Sequence, residues 1–366
     1  MIYLLYIIFS FLILRFSVTL FNFISNPKLG NSVKQYHDLV SVLIPARNEE
    51  EDILKLLQSL KSQNYQNIEV IILDDASTDD TLQICKDFST TDNRFKVICG
   101  NPLPNNWLGK NYACHQLAQQ AKGKYLLFLD ADETVKHNLI NNAIHQMVLG
   151  KLALLSLFAS QITLTLGEKL VVPLMHFLLL NLLPLRLVKL SKNPAFAAAS
   201  GQFMLFDAKI YKQQLWHQQV KNKVVEDIEI MKAVKQQDFT GETLLANRFL
   251  YCRMYKSYKQ SLNGFSKNLL AGFGGSIMGL LIFVALLSLG LPFIYLYANS
   301  ILLIVALILI ILNRLLISVL SNQHIIYNII LNCAQIVTLL LLTCITIYKL
   351  ITRNQVWKGR IIRNEF

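Results

Sequence analysis

The sequence predicts an α/β protein in which a doubly wound, mostly parallel sheet carries the chemistry and apolar helices at both ends hold it to a membrane. Three observations predict it. Short apolar runs alternate with helix-like segments from residue 39 to residue 158, the order that builds parallel βαβ units. Acidic residues stand where those runs stop, notably Asp130 and Asp132 after Tyr125-Leu126-Leu127-Phe128-Leu129. Apolar stretches occupy 1–24 and 276–349, long enough to cross a bilayer.

Composition narrows the function. Of the 366 residues, 53% are hydrophobic and 16% are charged, and the mean hydropathy is +0.40. That is too apolar for a wholly soluble chain. The formal net charge is +12, and Lys and Arg gather beside the apolar segments, which suits an anionic membrane face. No nucleic-acid motif or basic–aromatic stripe occurs, so nucleic acid is not an expected partner. The 6 cysteines are scattered without a C-x-x-C pair. That argues against a disulfide framework or zinc site and fits reduced thiols facing the cytosol.

Residues 1–24 read as an uncleaved anchor, because no small-residue cleavage site follows the apolar core. Lys28, Lys34 and His37 follow in a linker, 25–38. Their charge places the next domain, 39–255, in the cytoplasm. Its first strand, 39–44, ends at Pro45-Ala46-Arg47-Asn48-Glu49. A helix follows with Ile53, Leu56, Leu57 and Leu60 on one side. The second strand, 68–73, ends at Asp74-Asp75-Ala76-Ser77-Thr78-Asp79, and the third covers 95–98. A loop with Trp107-Leu108-Gly109-Lys110 leads into a helix through Ala121. The Tyr125 run is apolar throughout and reads as a strand buried on both faces. A helix at 139–147 and a strand at 152–158 continue the pattern.

Residues 170–190 are apolar but interrupted by Pro173 and Pro184. We expect them to lie in the membrane surface, where they gate a lipid acceptor, with a true span as the alternative. Strand character returns at 200–206, Glu226-Asp227 opens a helix, and 241–255 is extended. Residues 256–275 read as a basic interfacial helix. Three spans fit the region 276–349, at about 277–297, 300–321 and 325–348. Three spans would leave the C-terminus outside, whereas the basic tail, 350–366, favours the cytoplasm. The segment 300–321, with Asn313 and Arg314, is therefore expected to be irregular or only partly inserted.

Residues two apart on an extended backbone point the same way. Asp130 and Asp132 are therefore expected to face one ligand at the sheet edge where open α/β sheets bind. Aligned carboxylates suit a hard divalent cation carrying a diphosphate; an ordinary acidic turn is the alternative. One of Asp74 and Asp75 is placed to accept from a nucleoside donor, while Ser77 or Asp79 caps the next helix. Lys110, near a helix start, is either in reach of a phosphate or a solvated lysine. Arg253 either reaches a diphosphate or forms a structural ion pair. Trp107 and His115 read as packing residues, and Cys114 and Cys252 as small buried ones.

Taken in order, Pro45-Ala46-Arg47-Asn48-Glu49, Leu73 to Asp79, Asp130-Ala131-Asp132 and Glu226-Asp227 resemble the motif set of family 2 glycosyltransferases with the GT-A fold. Trp107-x-Gly109-Lys110-x-x-Ala113, Arg253-Met254-Tyr255 and Trp357-Lys358-Gly359-Arg360 are similar to a membrane-bound bacterial subgroup. The resemblance implies that Pro45, Ala46 and Glu49 line the nucleotide pocket and that Asp74 or Asp75 contacts the nucleoside. It implies Mg2+ or Mn2+ on Asp130 and Asp132, bridging the diphosphate of a UDP-sugar. Asp227 is then the base of a single inverting displacement, or a helix cap. The implied reaction moves one hexose, glucose from UDP-glucose, to an amphipathic lipid acceptor such as a carotenoid carboxylate. Transfer to polyprenyl phosphate or diacylglycerol, or a non-catalytic scaffold with a GT-A shell, are the alternatives. The family's processive Q-x-x-R-W motif is absent. The nearest stretch, Gln260-Ser261-Leu262-Asn263-Gly264, lacks both Arg and Trp, which argues against a polymer synthase. Ala76 stands where the family more often has Gly.

Overall fold

The structure, a computed structural model, describes residues 1–352 and the backbone of strands Gln355–Trp357 and Arg360–Ile362. Most of the basic tail expected over 350–366, with the side chains of Trp357 to Arg360, lies outside the described residues.

Helix α1 (Ile2–Ser25) carries a single charge, Arg15. Then β1 (Val40–Ala46), α2 (Ile53–Lys61), β2 (Ile68–Asp74), α3 (Thr81–Ser89), β3 (Phe95–Cys99), α4 (Gly109–Gln120) and β4 (Tyr125–Leu129) alternate as the apolar pattern predicts. Next come β5 (Glu133–Val135), α5 (Leu139–Gly150), β6 (Leu154–Phe158) and β7 (Ser160–Gln161). Three short helices, α6 (Leu166–Val171), α7 (Pro173–Leu182) and α8 (Leu187–Leu190), precede β8 (Phe203–Asp207), α9 (Ala208–Gln214), α10 (Trp216–Gln219) and α11 (Glu226–Gln236). The domain closes with β9 (Gly241–Leu245), β10 (Leu250–Cys252) and α12 (Tyr258–Asn268). Helices α13 (Ile277–Tyr297), α14 (Ser300–Leu320), α15 (Ile325–Ile330) and α16 (Asn332–Thr352) follow. By length and composition α1, α13, α14 and α16 could each cross a membrane.

The main sheet has the order β3-β2-β1-β4-β8-β6-β9. β1 pairs in parallel with β2 and β4, and β2 with β3. β8 is antiparallel between β4 and β6. The order reverses direction between β1 and β4, the switch point at which such sheets open a crevice. β4 is buried on both faces, as its unbroken apolar run requires. Leu126 and Phe128 pack with Ala113 and Leu117 of α4, while Tyr125, Leu127 and Leu129 pack with residues of α2 and α5. Leu127→Ala empties this second core without touching the crevice. We expect it to cost about 3 kcal/mol, seen as a lower unfolding midpoint of the full chain in detergent; an unchanged midpoint would contradict the packing.

The structure adds detail to three expectations. The linker 25–38 is docked: Leu29 N donates to Leu245 O at 2.9 Å and Leu245 N to Pro27 O at 2.8 Å, with Leu29 fully buried. The segment 170–190 is three helices, broken beside Pro173 and Pro184. Its middle piece is anchored to α1. Asn22 Nδ2 of α1 donates to Leu180 O at 3.1 Å and Leu183 O at 2.8 Å, which fastens α7 to α1. The segment 300–321 is a continuous helix, because Arg314 finds Asn332 Oδ1 at 2.6 Å and the ring of Phe177.

The last apolar segment is interrupted, and its long helix starts at Asn332. Polar contacts run along most of α16. Gln335 Nε2 donates to Lys169 O of α6 at 2.8 Å, and Thr338 Oγ1 meets Tyr258 Oη at 3.3 Å. Thr346 Oγ1 donates to Ser266 O at 3.2 Å, and Lys349 Nζ to Ser266 Oγ at 2.8 Å. α16 therefore lies alongside α6 and the polar helix α12.

Candidate active site

Strand ends decide where the site falls. Beyond the carboxyl ends of β1 and β4 lies a cavity of about 1690 Å³. Pro45, Ala46 and Glu49 reach it from the end of β1, Asp75 from β2 and Lys110 from α4. Asp130 and Asp132 reach it after β4, Asp227 from α11 and Arg253 after β10. Every expected site residue except Asp74 shares this one space. Asp74 is buried at the end of β2, where its Oδ2 accepts from Ser77 N at 3.2 Å and shapes the turn. Of the acidic pair, Asp75 is the member at the cavity.

That turn carries strain. Ala76 has φ of 53°, a left-handed conformation that costs a residue with a Cβ about 1 kcal/mol. Arg47 Nη1 holds the turn by donating to Asp75 O and, at 3.0 Å, to Ala76 O. Ala76→Gly is expected to stabilise the chain by roughly 0.5 kcal/mol, the relief being partly offset by a more flexible unfolded state. A lowered thermal midpoint would contradict this.

Asp130 and Asp132 share the cavity for a different reason from the expected one. The strand stops at Leu129, and Ala131-Asp132 form a turn. Strand alternation therefore does not align the two carboxylates; the turn brings both to the wall. Asp130 Oδ1 lies 2.8 Å from Lys110 Nζ, which also contacts Glu226 Oε1 at 3.1 Å. Burial pushes the Lys110 ammonium down, but Asp130 and Glu226 overcome it and hold the pKa well above the ordinary lysine value. Lys110 is thus a bridging cation and not a solvated one. Gly201 leaves room for it, since a Cβ there would sit 2.8 Å from its Nζ.

Asp227 lies inside the first turn of α11, whose N-cap is Val225. Its Oδ2 accepts from Gly201 N at 2.9 Å and its Oδ1 from Ile228 N at 2.8 Å. Burial raises its pKa, Glu226 adds to the rise, and Lys110 and the two backbone donors oppose it; the carboxyl is pushed up to about 7. A carboxyl held there can take a proton near neutral pH.

Arg253 Nη2 lies 2.8 Å from Glu168 Oε1, and Glu168 is fully buried. The guanidinium thus forms the structural pair while bordering the cavity. Trp107 packs on Tyr112 and His115, with ring centroids 5.2 and 5.1 Å away.

Sequence reasoning missed two carboxylates. Glu226 was visible as the first member of an acidic pair, but nothing local marked its contact with Lys110. Glu133 is buried with both oxygens lacking a hydrogen-bond partner, and ligand atoms of Asp132, Glu133 and Cys252 fall within 4.8 Å of one another. Burial raises the Glu133 pKa well above its usual value, and Asp132 and Asp130 add to it. Oxygen donors open on the cavity and a buried carboxyl without a hydrogen-bond partner beside Asp132 fit a hard divalent cation.

The far wall of the cavity is different in character. Met175, Leu178, Leu179 and Leu182 of α7 face Leu269 and Phe273 of a 3-10 turn, Leu269–Phe273. One space is therefore acidic at the sheet edge and apolar beside the terminal helices.

The reversed strand order, the acid-lined crevice and the apolar terminal helices define a GT-A domain joined to membrane-type helices. Residues 41–214 match the model of glycosyl transferase family 2, so this stretch is a domain of that family. The chain is 28% identical over 245 residues to 4,4'-diaponeurosporenoate glycosyltransferase of Staphylococcus aureus, covering 66% of this chain and 63% of that protein. It is 34% identical over 110 residues to glycosyltransferase GlyG of Streptococcus pneumoniae, covering 30% of this chain and 35% of that protein. The matches thus span under two thirds of either relative's length. A mannosyltransferase from Pyrobaculum calidifontis, solved with GDP-Man and Mn2+, superposes with a TM-score of 0.56 at 15% identity. That superposition covers 93% of this chain and 99% of the other, and it shows a shared fold.

Proposed function

We propose that the chain is a membrane-bound glycosyltransferase that moves one hexose from a nucleotide diphosphate sugar to an amphipathic lipid. The donor is UDP-glucose and the acceptor a carotenoid carboxylate of the 4,4'-diaponeurosporenoate type. The carrying observation is the single cavity with a carboxylate-lined end and an apolar end. The name of the Staphylococcus aureus relative supports the choice of acceptor.

In this reading Pro45, Ala46, Glu49 and Asp75 hold the nucleoside, and Lys110 and Arg253 lie near the phosphates. Asp130 and Asp132 would hold Mg2+ or Mn2+, which, when bound, offsets charge on the departing diphosphate. α7 and the Leu269–Phe273 turn keep water from the acceptor's apolar body and aim its oxygen at the anomeric carbon. Asp227 takes the proton of a hydroxyl acceptor, or positions a carboxylate that has none to give. One displacement inverts the anomeric centre.

The same reading gives a topology. α1 and the α13–α14 hairpin cross the bilayer, and α16 lies in the interface along α6 and α12. A helix held by polar contacts to Lys169, Tyr258 and Ser266 does not leave the domain's side of the membrane. The C-terminus then stays with the domain in the cytoplasm. A C-terminal tag should be reachable from the domain's side of sealed vesicles, and exposure on the opposite side would overturn this topology.

The activity is tested by incubating membranes with labelled UDP-glucose and extracted apolar lipids. We expect a labelled lipid, formed only with divalent cation, whose mass is that of one carotenoid acid plus one hexosyl residue, a hexose less water. A polyprenyl-phosphate or diacylglycerol mass would overturn the acceptor, and no labelled lipid would overturn the reaction.

A further inference from the structure

Two arginines lie among the apolar terminal helices. Arg15 of α1 and Arg314 of α14 are 6% and 2% exposed. Their guanidinium carbons lie 5.1 Å and 3.6 Å from the centroid of the same ring, Phe177 of α7. Each has one hydrogen-bond acceptor: Asn181 Oδ1 at 3.2 Å for Arg15 Nε, and Asn332 Oδ1 at 2.6 Å for Arg314 Nε. Arg314 Nη2 is buried without a partner. Helices α1, α7, α13, α14 and α16 contain no Asp or Glu. Neither arginine forms an ion pair among the described residues.

A guanidinium offers five donors and stays charged. Cations placed inside membrane helices are costly, and they mark sites for ions or substrates when they persist. Stacking on Phe177 stabilises the two charges in part, but a ring neutralises neither. The planar fork of Arg matches the oxygens of a phosphate or carboxylate. Depth selects the source. Arg314 precedes the domain-side end of α14, near Asn322 and its contact with Ser160, by about two helical turns. An arginine stem together with a headgroup drawn inward by local thinning of the bilayer spans such a distance.

We propose that Arg15 and Arg314 form a binding site for the oxyanion of an anionic lipid headgroup, a phosphate or carboxylate, held between α1, α7 and α14. It is separate from the catalytic cavity and does not depend on the reaction assigned to that cavity. The two are one helix apart. Phe177 lies on one face of α7, and Met175, Leu178, Leu179 and Leu182 face the cavity from the other. A lipid bound at the arginines fixes the helix that forms the cavity's apolar wall.

The test uses the full chain in vesicles of phosphatidylcholine, with and without phosphatidylglycerol, followed by detergent extraction and mass analysis of retained lipid. The wild type should retain phosphatidylglycerol in preference to phosphatidylcholine and melt at a higher temperature with it. Arg314→Gln and Arg15→Gln should each lower that retention about tenfold, the loss expected for a charge-assisted hydrogen bond. Lys192→Gln, at an exposed cation, should leave it unchanged. Phe177→Leu removes the stacking clamp but keeps both cations, so retention should persist. Equal retention in wild type and both arginine variants, or loss in Phe177→Leu equal to that in Arg314→Gln, would reduce the arginines to a structural clamp and overturn the site. Stabilisation by inorganic phosphate in pure phosphatidylcholine vesicles, with none from phosphatidylglycerol, would overturn the headgroup assignment.

Discussion

Asp132→Ala is expected to lower hexose transfer about a thousandfold while leaving the chain folded. Its place at the cavity wall, within the buried acid cluster, is the reason to choose this residue. Asp130 already shares its charge with Lys110 at 2.8 Å. Asp132 stands beside Cys252 Sγ at 3.6 Å and the unpartnered Glu133 carboxyl. Its removal takes away an oxygen that would hold the divalent cation. It also removes a negative charge that helps to raise the Glu133 pKa. The thermal midpoint without metal should therefore hold or rise. The paired measurement is transfer rate and thermal midpoint on the same preparation. Full activity in the variant would refute the metal role, whereas inactivity with a collapsed midpoint would refute the claim that Asp132 acts in chemistry and not in folding.

Asp227→Asn is the second large effect, and its size depends on the acceptor. With a hydroxyl acceptor the loss should be about a hundredfold to ten-thousandfold, the usual contribution of a positioned base. Asp227 acts only when deprotonated. Activity of the wild type should therefore rise with pH along a limb centred near 7 and level off above it. Asn at this position should abolish that limb. With a carboxylate acceptor, already ionised, the loss should be under about tenfold and the limb should move to the acceptor's own ionisation. Stability carries the same signature. The folded value is raised from the ordinary 3.8 to about 7, so the folded chain binds this proton more tightly than the unfolded one. The stabilisation is fully present below pH 3.8 and is lost as pH rises through about 7. With a hydroxyl acceptor, a wild-type pH–rate profile that matches that of Asp227→Asn would count against the base.

The sheet was legible because each strand must be buried on two faces. That demand writes apolar runs at β1, β2 and β4, interrupted before the strand ends only by Ser41 and Glu69. The antiparallel insertion of β8 was not legible, because a buried strand has the same composition in either direction. Asp75 could not be separated from Asp74 by type or spacing; only the turn at Ala76 sends one inward and the other to the cavity. Lys110 stayed open between a phosphate contact and a solvated lysine because its partners, Asp130 and Glu226, lie far away in the chain. Glu133 was hidden behind the more conspicuous Asp130-Ala131-Asp132. The polar residues of α16 are spread thinly through an apolar run. They acquire meaning only when Lys169, Tyr258 and Ser266 stand opposite them.

The most direct test is the binding of Mn2+ to the purified full-length chain, followed through the paramagnetic signal of the free ion as UDP-glucose is added. The account predicts that the nucleotide sugar draws Mn2+ onto the wild-type chain and that Asp132→Ala abolishes the effect. Equal uptake by both proteins, or none by the wild type in the presence of UDP-glucose, would contradict it.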